Sequence, residues 1–293
     1  MLEAKLILSG SDQIEQMILK RQKFFLGRLG SVEAELLYRQ LQFDSGIRDL
    51  KEFKKSGIRM RKEAWISAGI WPPSSKQIRL FNSAYIEALG NVTTIASWGA
   101  TSLKFEEEIL NRFCSNIPRI PLGSLDPVLV GASNGKAWTL ALDGMNILII
   151  SSFAKEIIQQ YRKVPLHSEI ILPKFNLRTL KPPQTNGITL SQNNWTNNLK
   201  SFNITIKREI ELHHIDVVLV AAGSYGMPIS NSIFQNGTSV IYIGGALQLI
   251  FGIWGSRWEH SVEVNKMANK NWIWPSKTTK PRGAFLIEKS CYW

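Results

Sequence analysis

The sequence predicts an α/β protein built on an open, mostly parallel sheet flanked by helices. Short apolar runs each end in small residues and give way to helical patterning. Most of the runs are continuous Val/Ile/Leu stretches, as expected of strands covered on both faces. The chain of 293 residues, 44% of them apolar, is long enough to bury a substantial core, and it carries no internal repeat or low-complexity tract. Six candidate strands follow: Phe24 to Leu29, Val92 to Trp98, Asn146 to Ser151, Glu169 to Leu172, Asp216 to Ala222 and Ser239 to Ile243. Helices are expected over Ser11 to Lys23, Ser31 to Gln42, Lys76 to Leu89, Leu103 to Phe113, Ala154 to Arg162 and Met227 to Gln235, with Ser11 and Ser31 as N-caps. The stretch LPKFNLRTLKPPQTNG, rich in proline, reads as a loop over the active face.

Lys and Arg outnumber Asp and Glu by 35 to 23, a net charge of +12, which favours anionic partners. Charge alone does not choose among phosphates, nucleic acid and lipid headgroups. No nucleic-acid module is recognisable, and the basic residues are not interleaved with aromatics in a repeated way, so nucleic acid is not expected as a partner. Cys114 and Cys291 fit no metal or redox spacing and are expected to be reduced. Glu3 and Lys5 interrupt what would be a signal peptide's apolar region, and no apolar run reaches the roughly 20 residues of a membrane span. A cytoplasmic protein is expected.

In open parallel sheets, ligands bind beyond the carboxyl ends of the strands, where helix N-termini aim their amides outward. Three turns qualify. In FFLGRLGSVEAELL, Arg28 and Gly30 end a strand, Ser31 opens a helix and Glu33 lies in its first turn. Arg28 and Glu33 can flank a bound phosphate there; equally, Ser31 and Glu33 can simply cap the helix. In DVVLVAAGSYGMPIS, a buried strand runs into Gly223, Ser224, Tyr225 and Gly226, a glycine loop able to approach phosphate oxygens or an ordinary turn. In SVIYIGGALQLIFGIWGSRWE, Gly244, Gly245, Gln248 and Arg257 form a third candidate group, or a core segment with a paired rim. A nicotinamide dehydrogenase wants an acid about 20 residues beyond the first glycine, but Gly244 and Gly245 stand in that place.

Together with LDP at 125 to 127, WTLALDGMNILIISSF at 138 to 153, NWIWP at 271 to 275 and the closing CYW, these stretches resemble the bacterial GT-D-type glycosyltransferases of surface-polysaccharide loci. The resemblance spans nearly the whole chain. It implies a single Rossmann-like domain over residues 1–293 that moves a sugar from a nucleoside diphosphate donor to a glycan or lipid-linked acceptor. A nucleotide-sugar-binding protein of the same fold that does not catalyse transfer is the alternative. The resemblance assigns Arg28 and Glu33 to catalysis. The nucleotide sugar falls to Arg28, Gly30, Ser31, the glycine loop 223–226, Gly244, Gly245, Gln248 and Arg257.

The family's D-x-E motif, tied to a Mn or Mg ion, keeps its Glu as Glu33 but holds Ser31 where the Asp belongs. One carboxylate and a hydroxyl chelate a hard divalent cation less well than two carboxylates, so the cation is in question. Glu33 is the first choice of general base, with Glu35 and Glu259 in reserve.

Residues 47–65, with Arg48, Lys51, Lys54, Lys55, Arg59, Arg61 and Lys62, read as a solvated helix face or as peripheral contact with the inner face of the plasma membrane. Trp254, Trp258, Trp272 and Trp274 are candidate sugar-stacking platforms or core. His213 and His214 are expected in a loop without metal.

Overall fold

The computed structural model describes residues 2–46, 50–99, 105–163 and 171–293, excepting the side chains of 2 and 50–56. One sheet holds seven parallel strands: β1 (Phe25–Arg28), β2 (Thr94–Ser97), β3 (Arg119–Pro121), β4 (Asn146–Ser151), β5 (Asn176–Leu180), β6 (Val217–Ala221) and β7 (Ser239–Tyr242). Their order is β3-β2-β1-β7-β6-β4-β5, an arrangement Rossmann-like in general plan. The chain leaves β1 outward to β2 and β3, then crosses the sheet to β4 and returns through β6 to β7, which pairs with β1. Connections therefore diverge between β1 and β7, the geometry that opens a crevice at the strands' carboxyl ends.

Both faces of the sheet are buried, which explains the continuous aliphatic strands. Leu148 and Ile150 of β4, Val218 and Val220 of β6, and Val240 and Tyr242 of β7 point into one core cluster. Their neighbours Ile147, Ile149, Val217, Leu219 and Ile241 point into the other. The helices are α1 (Leu2–Leu19), α2 (Ser31–Asp44), α3 (Leu50–Ile66), α4 (Ser75–Leu89), α5 (Glu106–Phe113), α6 (Pro127–Ala132), α7 (Ala154–Tyr161), α8 (Trp195–His213), α9 (Gly226–Gln235), α10 (Leu247–Ile250) and α11 (Val262–Met267). Leu37 of α2, Phe81 of α4, Phe202 of α8 and Ile229 of α9 cover the first face. Ile14 and Ile18 of α1 and Ile157 of α7 cover the second.

Local chemistry sets several boundaries. Ser74 caps α4 by accepting from the Gln77 amide at 3.2 Å, and Asn194 caps α8 by accepting from the Asn197 amide at 2.8 Å. At its other end α8 stops on His214, whose φ of 48° is left-handed.

Several expectations are corrected. Ser11 lies inside α1 and not at its start; its hydroxyl accepts from the Trp138 amide at 3.1 Å, tying the helix to a distant loop. The N-cap of α2 is Gly30, one residue before Ser31. Ile171 and Leu172 are not in a strand, while Glu169 and Ile170 lie outside the described residues. The proline-rich stretch instead contributes β5, flanked by Pro173 and Pro182, and only its later part reaches the carboxyl end of the sheet. His213 ends α8 and does not lie in a loop. Leu103 and Lys104 of the expected fourth helix, Arg48, and the side chains of Lys51, Lys54 and Lys55 also lie outside what is described. Among the described residues no helix is long and apolar enough to cross a membrane.

Candidate functional site

A cleft of about 620 Å³ opens at the carboxyl ends of β1, β4, β6 and β7, within the range of sites for small organic ligands. The three turns singled out in the sequence, more than 200 residues apart at their extremes, meet there: Arg28, Gly30, Ser31 and Glu33 from the first, Gly223 from the second, and Gly244, Gly245, Gln248 and Arg257 from the third all line it.

Arg28 is the last residue of β1, so the strand fixes where its side chain starts. Its guanidinium donates to the Ile243 carbonyl at 3.2 Å and to the Leu29 carbonyl at 3.3 and 3.4 Å. The Trp98 and Tyr242 rings lie 5.6 and 5.8 Å from its central carbon, close enough for cation–π attraction. Among the described residues no carboxylate comes within 4.0 Å of it. Its charge is thus oriented by dipoles and rings and meets the cleft without a contact ion pair among the described residues. Gly244 makes this possible: its φ is +78°, and a β-carbon there would stand 2.6 Å from the Arg28 Nη1.

Glu33 sits at the third position of α2, 7% exposed, with its carboxylate folded back into the space a β-carbon on Gly30 would fill. Burial pushes its pKa up; its own backbone amide and Arg28 work the other way, and Glu288 adds to the rise. The site thus pairs a permanent cation with a carboxyl that holds its proton unusually well. The other two reserve acids lie elsewhere. Glu35 is engaged by Arg39 within α2, and Glu259 is exposed away from the cleft.

Three of the expected ligand residues do not line the cleft. The Ser224 hydroxyl is fully buried and accepts from the Trp195 indole at 3.0 Å. Tyr225 stacks on Trp195 and meets the Thr185 hydroxyl at 3.3 Å. Gly226 starts α9 beneath Tyr242, and a β-carbon there would stand inside the tyrosine ring. The glycine turn therefore packs the strand end against the core, and only Gly223 faces the cleft. Gly226→Ala should destabilise the fold by about 1–3 kcal/mol through overpacking, read as a lower urea midpoint with an unchanged slope.

Gln248 braces the wall: its Nε2 donates to the carbonyls of Trp254 at 2.7 Å and of Ile253 and Tyr292 at 3.3 Å. Arg257 is already paired with Glu288 and lies over the Tyr292 ring at 4.9 Å. Glu288, Lys289 and Ser290 have φ of 45°, 55° and 66°, three successive left-handed residues without glycine. Sequence reasoning missed this wall, which brings Ile287, Glu288, Tyr292 and Trp293 to the cleft. It also missed Trp98, whose indole donates to the Leu29 carbonyl at 3.1 Å, although Trp98 closes an expected strand at the ligand-binding edge. Trp254 packs on Trp272 and Trp274 at 4.9 and 6.1 Å, and Trp258 packs beside them against a small core cluster; none of the four lines the cleft.

Cys114 and Cys291 are free and buried, and burial raises their thiols to about 11 and about 12. The donor set does not suit a divalent cation. Glu33 is one carboxylate beside a guanidinium, Glu288 is held by Arg257, and among the described residues no three His, Cys, Asp or Glu side chains converge.

Comparison of the chain with protein-family models, with curated proteins and with solved structures yields no match.

Proposed function

We propose that the cleft binds a nucleoside diphosphate sugar and that the protein transfers the sugar to a hydroxyl of a glycan or lipid-linked acceptor, as the resemblance to GT-D-type glycosyltransferases implies. The observation that carries this reading is the Arg28 guanidinium, held at the sheet's switch point by two carbonyls and two rings, with no carboxylate within 4.0 Å among the described residues. Such a cation suits a diphosphate, whose charge grows as it leaves. In the reaction the acceptor oxygen bonds to the anomeric carbon, the bond from that carbon to the diphosphate oxygen breaks, and the nucleoside diphosphate departs with the electron pair. Glu33, when ionised, takes the hydroxyl proton. Arg28 and the Gly245 amide offset the diphosphate's charge, since the Gly244 amide is held by the Val220 carbonyl at 3.1 Å.

Burial of Glu33 against its own helix turn favours a second reading, a binding protein that holds the nucleotide sugar without transferring it. Incubation with a panel of nucleotide sugars and short glycan or lipid-linked acceptors, with and without manganese, separates the two. Release of nucleoside diphosphate supports transfer. Thermal stabilisation without release supports binding alone, and neither effect with any donor overturns both.

Arg257 is neutralised by Glu288 in a partly exposed pair, so Glu288→Gln frees a second cation for the diphosphate. Calorimetry should show nucleoside diphosphate binding tightened by up to about fivefold, the most a pair of this exposure is expected to withhold.

A further inference from the structure

We propose that Ile188, Leu190, Phe285 and Leu286 form a surface that docks this protein on an anionic lipid bilayer. Their exposures are 40%, 69%, 71% and 44%, high for large apolar side chains. Single exposed leucines need no explanation, but these four come from two loops packed directly together. The Ile188 amide donates to the Arg282 carbonyl at 2.8 Å, the Ile188 side chain lies where a β-carbon on Gly283 would meet it at 2.9 Å, and Gln184 reaches the Thr279 carbonyl at 3.4 Å. Gly187 allows the approach, since a β-carbon there would collide with the Arg282 carbonyl. The second loop is anchored from beneath: the buried Glu156 carboxylate of α7 accepts from the Ser276 amide and hydroxyl at 3.2 and 2.8 Å and from the Thr279 hydroxyl at 3.1 Å.

The charge along the two loops is one-sided, and the nearest acid beyond them, Glu288, is paired with Arg257. Residues 171–208 and 264–287, the segments that carry the two loops, contain eleven Lys and Arg and no Asp or Glu. Lys181, Lys277, Lys280 and Arg282 are exposed, and among the described residues none has a carboxylate within 4.0 Å. Apolar tips on segments that carry exposed cations match an interface where acyl chains take the side chains and acidic headgroups take the charges. Three of the four tips are aliphatic, which favours lipid over nucleic acid, where stacking on aromatic rings supplies the contact. The cleft opens beside this surface, since Asn186, two residues before Ile188, and Ile287, next to Leu286, line it.

The test is flotation of the full chain with vesicles of phosphatidylcholine alone or mixed with phosphatidylglycerol, at low and raised salt. The wild type should partition onto the phosphatidylglycerol vesicles and less so at raised salt. Phe285→Ser combined with Leu286→Ser should lower partitioning at least about tenfold. Lys280→Glu combined with Arg282→Glu should lower it about as much on the acidic vesicles. Leu190→Ser, on the other loop, repeats the test should the first pair melt early. Absence of wild-type partitioning, or equal partitioning by all variants, overturns the proposal. So does single-stranded nucleic acid binding that depends on Phe285 and Leu286 while vesicles are ignored. No nucleotide sugar is present in this measurement, so its failure and the failure of the transfer reading are separate results.

Discussion

Arg28→Ala is expected to lower kcat/KM for sugar transfer by about two to three orders of magnitude, the usual effect of removing a preorganised group that meets developing negative charge. The size follows from how the guanidinium is held. Its bonds to the Leu29 and Ile243 carbonyls and its place between Trp98 and Tyr242 are made before any ligand arrives. Arg28→Lys should recover little: an ammonium cannot donate to both carbonyls in the same plane and stack on the rings at once. Nucleoside diphosphate binding, followed by calorimetry, should weaken in both variants, and Arg28→Ala should also melt somewhat below wild type, because the Ile243 carbonyl loses its charged donor. Unchanged affinity in Arg28→Ala would remove the cation from the site.

Glu33→Gln is expected to lower kcat by about two to four orders of magnitude, the range for loss of a general base. Wild-type transfer should rise with pH through the elevated Glu33 pKa, and the variant should lose that limb. Stability moves the opposite way. The folded protein holds the Glu33 proton more tightly than the unfolded chain, so Glu33's contribution is full below the ordinary carboxylate pKa and is lost as pH rises through the folded value. At mildly alkaline pH the Gln variant should therefore melt above wild type, and in acid the two should coincide. A variant that melts higher in alkali yet transfers sugar at the wild-type rate would assign Glu33 to helix structure alone.

The central strands were legible because their aliphatic runs are buried on both faces: β1, β2, β4, β6 and β7 all lie within expected segments. The two strands missed, β3 (Arg119–Pro121) and β5 (Asn176–Leu180), are the edges of the sheet, half-solvated, polar and bordered by proline. Helix α8 escaped notice because Asn, Thr and Ser crowd its first turns, although Trp195, Leu199, Phe202, Ile206 and Ile210 mark one face at helical spacing. At the site, strand-end logic found the turns that face the cleft. It overreached at Ser224, Tyr225 and Gly226, since a glycine turn that holds a helix on a tyrosine ring has the same letters as one that holds a phosphate. The wall from Ile287 to Trp293 has no periodicity to read; its shape comes from the Arg257–Glu288 pair and from left-handed backbone.

That backbone behaves like a loaded catch. Each residue forced into the left-handed region raises the free energy by roughly 1 kcal/mol, so three in a row are held down by their contacts and not by local preference. Phe285 and Leu286 stand at the outer end of the same short stretch, and Tyr292 and Trp293 at the inner. Where the occupants of both ends bind the held form better or worse than its alternative, each alters the other's affinity by the same factor.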